Sequence, residues 1–267
     1  MREFIKTKAF KESLSFIILT YVISGFISCF MLLNGIEEGM LYKICVVLAT
    51  ASPSISAVLL LIAKEGFNGA FYSVKKMLDV KIGMKIYLII ILLPFAFMFM
   101  GKLFSWIIFG LTPLAWIMVS DTIATSFVSP LGEEFGWRGF LTGHLSKHFS
   151  ILKTAVIVGL IWAGWHYWFY LIPGEFSIEV PVLFFILSCI ADSLWITYFY
   201  VKNKESVLMG ILFHFAYNLS YRIIPIRPSF YFGNGLTYLI TVIIELILAV
   251  FVILNKWSVP IHCKKLQ

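Results

Sequence analysis

Glu133 and Glu134 stand side by side in Leu131-Gly-Glu-Glu-Phe-Gly-Trp-Arg-Gly-Phe140, with Arg138 one helical turn after Glu134. Two histidines and an asparagine follow: His166 closes Trp162-Ala-Gly-Trp-His166, and His214 opens His214-Phe-Ala-Tyr-Asn218. A carboxylate beside an imidazole in a low-dielectric cavity can take a proton from water, because burial and mutual charge tune both groups. A second imidazole and an amide facing them can hydrogen-bond the oxyanion that forms when that water attacks a carbonyl. Together they make a kit for hydrolysing a peptide bond. Glu133, His166 and His214 would equally serve as three ligands of a catalytic zinc with one open position. The residue types leave both chemistries open.

These residues lie in an unusual setting. The chain has 267 residues, 60% of them hydrophobic and 13% charged, with a mean hydropathy of +0.93. Such composition belongs to membrane proteins and excludes an ordinary soluble domain. The net charge of +7 does not point to nucleic acid, because the lysines fall in short segments between apolar runs and form no single basic face. They are the charge that sets membrane topology. Cys29, Cys45, Cys189 and Cys263 have neither disulfide-framework nor zinc-ligand spacing.

About 20 apolar residues cross the hydrocarbon as a helix, and by that measure the sequence predicts eight spans. They fall near 13–33, 40–63, 84–110, from 114 through the glutamates, 151–171, 180–201, 206–223 and 235–255. Pro53 is expected to bend the second. The Lys-rich stretch 64–83 reads as a polar connection on the membrane surface. The first run is too long for a cleaved signal and is read as a retained span. Lys64, Lys75, Lys76, Lys81, Lys85, Lys147, Lys153, Lys202, Lys204, Lys256, Lys264 and Lys265 collect on the side of the N-terminus, while the opposite loops 34–39 and 173–179 are acidic. Arg222 and Arg227 are outvoted. Both termini are therefore expected in the cytoplasm. The expectation is an all-α, polytopic single domain over 1–267, in a cell membrane, with its motif-bearing core at about 114–223.

Depth decides whether the polar groups can meet. If the fourth helix continues past Gly136 and Gly139 to Lys147, then at about 1.5 Å per residue Glu133 lies roughly 20 Å from the cytoplasmic end. His166 comes at about 24 Å, His214 at about 15 Å and Asn218 at about 21 Å. They share a level. Glu134 and Arg138, four apart, suit an intrahelical ion pair, and His214 and Asn218 share a helix face. Asp121, Asp192 and Glu245 lack partners by spacing and read as packing residues; Lys102 could pair with Asp121. His144 and His148 read as interfacial, and His262 as part of the tail. The sequence has no His-Glu-x-x-His zinc motif, Gly-x-Ser-x-Gly elbow or Gly-rich phosphate loop. The lack of an inverted repeat argues against a transporter.

Three of these stretches together resemble the CAAX protease and bacteriocin-processing family, the Abi or Rce1-like intramembrane proteases. Glu133-Glu-Phe-Gly-Trp-Arg138 is similar to its Glu-Glu-x-x-x-Arg motif, and His214-Phe-Ala-Tyr-Asn218 to its His-x-x-x-Asn/Asp motif. The family's Phe-x-x-x-His stands here as Trp162-Ala-Gly-Trp-His166, with Trp in place of Phe. The resemblance implies that Glu133 activates water with His166 and that His214 and Asn218 form the oxyanion site. Trp162 would then support the site, and Glu134 and Arg138 would fix its geometry or contact the substrate's carboxyl end. It implies a membrane-associated peptide or protein substrate, and no required cofactor, although a divalent cation such as zinc stays open. No nucleic-acid partner is implied, and oligomeric state is not indicated. The Lys- and Phe-rich composition suggests a bacterial plasma membrane, where the family's roles include peptide processing and bacteriocin self-immunity. A membrane binding or immunity protein without hydrolysis is the competing expectation.

Overall fold

The computed structural model describes residues 4–78, 83–111, 122–171, 180–227 and 233–255. It is 87% helix, with no strand among the described residues. The main helices are α1 (Lys8–Leu33), α2 (Gly39–Thr50), α3 (Ser52–Met77), α4 (Met84–Phe109) and α5 (Thr122–Glu134). α5 runs on as a π-helix over Phe135–Thr142 and closes with the single turn α6 (Gly143–Leu145). Then come α7 (Ile151–Trp165), continued by a 3-10 segment over His166–Leu171, and α8 (Val182–Lys202), α9 (Val207–Ile223) and α10 (Gly235–Leu254).

Among the described residues five helices, α1, α3, α4, α8 and α10, are long and apolar enough to cross a membrane. Their outward positions carry exposed apolar side chains such as Val22, Phe26, Leu88, Ile107 and Ile247, which is the surface that lipid requires and water does not. The chain is a multi-pass membrane protein. Five such helices are fewer than the eight spans expected, and the differences have local causes. The expected span 40–63 is broken at Ala51, and α3 starts anew with Pro53 in its first turn, where proline's missing N–H costs nothing. The stretch 64–83 is helical as far as Met77, interrupted at Gly66, whose φ of +71° suits glycine. α7 has 15 residues, short of a full crossing by itself, and α9 has 17, the lower end of the spanning range. The expected start of the fourth span near Leu114, the acidic loop 173–179, Lys81, Asp121, and the tail with Lys256, His262, Cys263, Lys264 and Lys265 lie outside the described residues.

The α5–π–α6 rod is the axle of the bundle. Trp137 on it is fully buried and meets Phe16 of α1 edge-on, with ring centroids 5.4 Å apart, and Trp165 of α7 at 5.7 Å. A methyl group at Gly136 would collide with the main chain of Pro53, so α3 can lie against the rod only because this residue has no side chain. At the end of the rod His144 Nε2 bonds Glu12 Oε2 of α1 at 2.8 Å, and Lys64 of α3 reaches the same carboxylate at 3.1 Å. His144, expected to be merely interfacial, thus ties three helices.

Asp192 of α8 and Glu245 of α10, expected to be packing residues, are both buried, and the indole N–H of Trp195 on α8 donates to the main-chain carbonyl of Glu245 at 3.3 Å. Lys102 of α4 is buried and donates to the carbonyl of Pro225 at 3.1 Å.

Candidate active site

The rod, α7 with its 3-10 continuation, and α9 supply the motif residues. The rod carries Glu133, Glu134 and Arg138, and it does continue past Gly136 and Gly139 to Leu145. Its π-helical part lets Thr142 Oγ1 reach back five residues to the Trp137 carbonyl at 2.8 Å. π segments of this kind are rare and recur at functional sites. Glu133 is 2% exposed, and Glu134 and Arg138 are wholly buried.

Glu134 is the anchor. Its Oε1 accepts from Arg138 Nη1 at 2.9 Å, the expected pair, and also from His214 Nδ1 of α9 at 2.8 Å. A side chain at Gly210, one turn before His214, would press within 2.7 Å of Glu134 Oε2; glycine there lets α9 close on the rod. Both bonds fall on Oε1; Oε2 is enclosed with no hydrogen-bond partner among the described residues.

Glu133 points elsewhere. Its Oε2 accepts the indole N–H of Trp162 at 2.6 Å, a short bond of the kind made to a charged acceptor. His214 is bonded to the neighbouring Glu134 and not to Glu133. The indole ring of Trp162 also lies under the guanidinium of Arg138, at 4.7 Å, and against the imidazole of His214, at 5.3 Å.

His166 sits where α7 changes into the 3-10 segment. Its Nδ1 lies 2.7 Å from the Trp162 carbonyl, and a carbonyl only accepts, so Nδ1 carries the hydrogen and Nε2 is the ring's basic nitrogen. The rings of His166 and Trp162 are 5.5 Å apart. Asn218, one turn beyond His214, donates an amide hydrogen to Ser129 Oγ of α5 at 2.9 Å. Ser129 had no place in the motif reading; it lies four residues before Glu133 and shares its helix face, the one signal that could have marked it.

The structure therefore brings Glu133, Trp162 and His166 into one chain of contacts and Glu134, Arg138 and His214 into another, with Trp162 touching both. Residues 113–220 match the family model described as "Type II CAAX prenyl endopeptidase Rce1-like". The motif-bearing segment is similar to that family. It is also 29% identical, over 103 residues, to a protein named "CAAX prenyl protease 2" from Methanococcus maripaludis. That alignment takes in 36% of this chain and 38% of the relative, so the chain matches well under two thirds of the relative's length. The matched region takes in the rod, α7, α8 and nearly all of α9, and it contains every residue of the two contact chains.

The zinc alternative can be tested against the donor set. Among the described residues no three His, Cys, Asp or Glu side chains are gathered as metal ligands. Glu133, His166 and His214 are not gathered as a ligand set, and no step is derived through a metal.

Proposed function

We propose that this protein is an intramembrane endopeptidase that hydrolyses a peptide bond of a membrane-associated peptide or protein with water activated by Glu133 and His166. The observation that carries this reading is that Trp162 bonds Glu133 through its indole N–H and His166 through its main-chain carbonyl, inside a segment matched by the Rce1-like family model. In the bundle's interior, out of bulk water, a carboxylate and a basic imidazole nitrogen can share the work of removing a proton from one bound water.

The steps follow from the groups present. Glu133 takes a proton from water held between it and His166 Nε2, and the hydroxide adds to the scissile carbonyl carbon. The carbonyl oxygen becomes an oxyanion. The second amide hydrogen of Asn218 and the Nε2 side of His214 serve as its donors. Glu134, bonded to His214 Nδ1, orients that ring and supplies the counter-charge for a doubly protonated imidazole. Collapse of the tetrahedral intermediate breaks the C–N bond, and the proton held by Glu133 passes to the leaving amine. In this reading both termini are cytoplasmic, the membrane is the bacterial plasma membrane, and no cofactor is required.

The substrate class follows from the relative's name and the setting. A prenylated protein end is the substrate its name attributes to the archaeal relative; for this chain a short peptide, in processing or bacteriocin self-immunity, fits the suggested bacterial source. The test is cleavage of both kinds of peptide by the purified protein in liposomes, beside Glu133→Ala and His166→Ala. Cleavage that persists in both variants excludes the mechanism. A non-hydrolytic immunity protein is the second reading: Glu133→Gln would then leave protection intact while the protein still accumulates.

A further inference from the structure

Trp162 stands where the family's pattern has Phe, and Phe has no hydrogen to donate. In this chain the indole N–H lies 2.6 Å from Glu133 Oε2. The same residue offers its carbonyl to His166 Nδ1 at 2.7 Å, its ring face to Arg138 at 4.7 Å and its ring to His214 at 5.3 Å. It is 3% exposed. One side chain and its own main chain thus reach four of the residues assigned to the site.

We propose that Trp162 is a positioning residue for Glu133: its indole N–H holds Oε2, so that Oε1 is the oxygen presented to the reacting water. This rests on the protease reading for its consequence in catalysis, and on the geometry alone for the bond. A carboxylate without such a partner can rotate about its last bond, and both oxygens then compete for the same water. Fixing one oxygen removes that freedom before the substrate arrives, which is how a supporting hydrogen bond raises rate without touching the reacting atoms. The other contacts of the ring do not require the N–H. Phe at this position would keep an aromatic face toward Arg138 and would leave the main-chain carbonyl with His166, so Trp162→Phe removes the proposed bond and little else.

The inference is tested with the full chain in liposomes by two measurements. In the first, Glu133 is modified with a hydrophobic carbodiimide in the absence of any peptide, and its labelling rate is followed by mass spectrometry. Trp162→Phe should label several-fold faster than the wild type, because Oε2 has lost its donor. Equal labelling rates would overturn the proposal whether or not the protein cleaves anything. In the second, steady-state cleavage is compared. Trp162→Phe should lower kcat about 10- to 100-fold, the range for losing a hydrogen bond to a charged group, with KM within about twofold if binding is untouched. An unchanged kcat in an active protein would overturn the positioning role. If the wild type cleaves no peptide, the protease reading fails, and the labelling result still decides the bond.

Discussion

Glu134 and His214 lie 80 residues apart in the chain, and a 2.8 Å bond between Oε1 and Nδ1 joins them in the interior. Arg138 shares that same oxygen. Removing the carboxylate leaves a buried guanidinium without its ion-pair partner, a change that costs about 3–5 kcal/mol. Glu134→Ala is expected to lower resistance to unfolding in detergent by that order. Because Arg138→Ala removes the charge that would be stranded, the double variant should be less destabilised than the two single effects added together. Strict additivity would show that the pair does not interact.

The amide of Asn218 is aimed by Ser129. Ser129→Ala takes away that bond and frees the amide to rotate, so cleavage should fall by a factor of about ten, the worth of one hydrogen bond of about 1 kcal/mol or slightly more. Thermal stability should change little, since the site is only partly buried. Turnover of a peptide by the variant and its melting midpoint check the two halves of this expectation.

How much of this was legible beforehand differs from residue to residue. Helical spacing was enough for Glu134 with Arg138, because both lie on one helix. Depth counting placed Glu133, His166, His214 and Asn218 at one level, and their helices do meet there. Spacing carries no information about partners on other helices. It therefore could not show that His214 chooses Glu134 over Glu133, that Trp195 reaches the Glu245 carbonyl, or that His144 reaches Glu12. The break at Ala51 was missed because Pro53 was read as a bend within a helix, whereas it sits in the first turn of a new one. In the sequence Trp162 stands in place of Phe as a support of the site; its N–H acquires meaning only once α7 is known to face the rod.

The close approach of α3 to the rod gives a comparison between two glycines. At Gly136 an added methyl group meets the main chain of Pro53, which cannot move aside; at Gly139 it meets the sulfur of Met77 at 2.7 Å, the far part of a flexible side chain. Gly136→Ala should therefore be destabilising by about 1–3 kcal/mol, and Gly139→Ala by clearly less. Denaturant midpoints of the two variants in the same detergent measure the difference.

The arrangement of donors also bears on metal. Because Glu133, His166 and His214 are not gathered as metal ligands, activity is expected to survive exhaustive chelation, and metal analysis of active protein should find no stoichiometric zinc. Loss of activity on chelation, restored by zinc alone, would favour the ligand-set reading of Glu133, His166 and His214.

The central claim is that Glu133 activates water for peptide hydrolysis. The most direct measurement is cleavage of a membrane-associated peptide by wild-type and Glu133→Gln protein reconstituted side by side in liposomes. The amide keeps the size of the side chain and an oxygen for Trp162, but it cannot take a proton from water. The account expects turnover by the wild type and a loss of about 100-fold or more in Glu133→Gln, the scale of general-base catalysis. Cleavage by Glu133→Gln at the wild-type rate would contradict it.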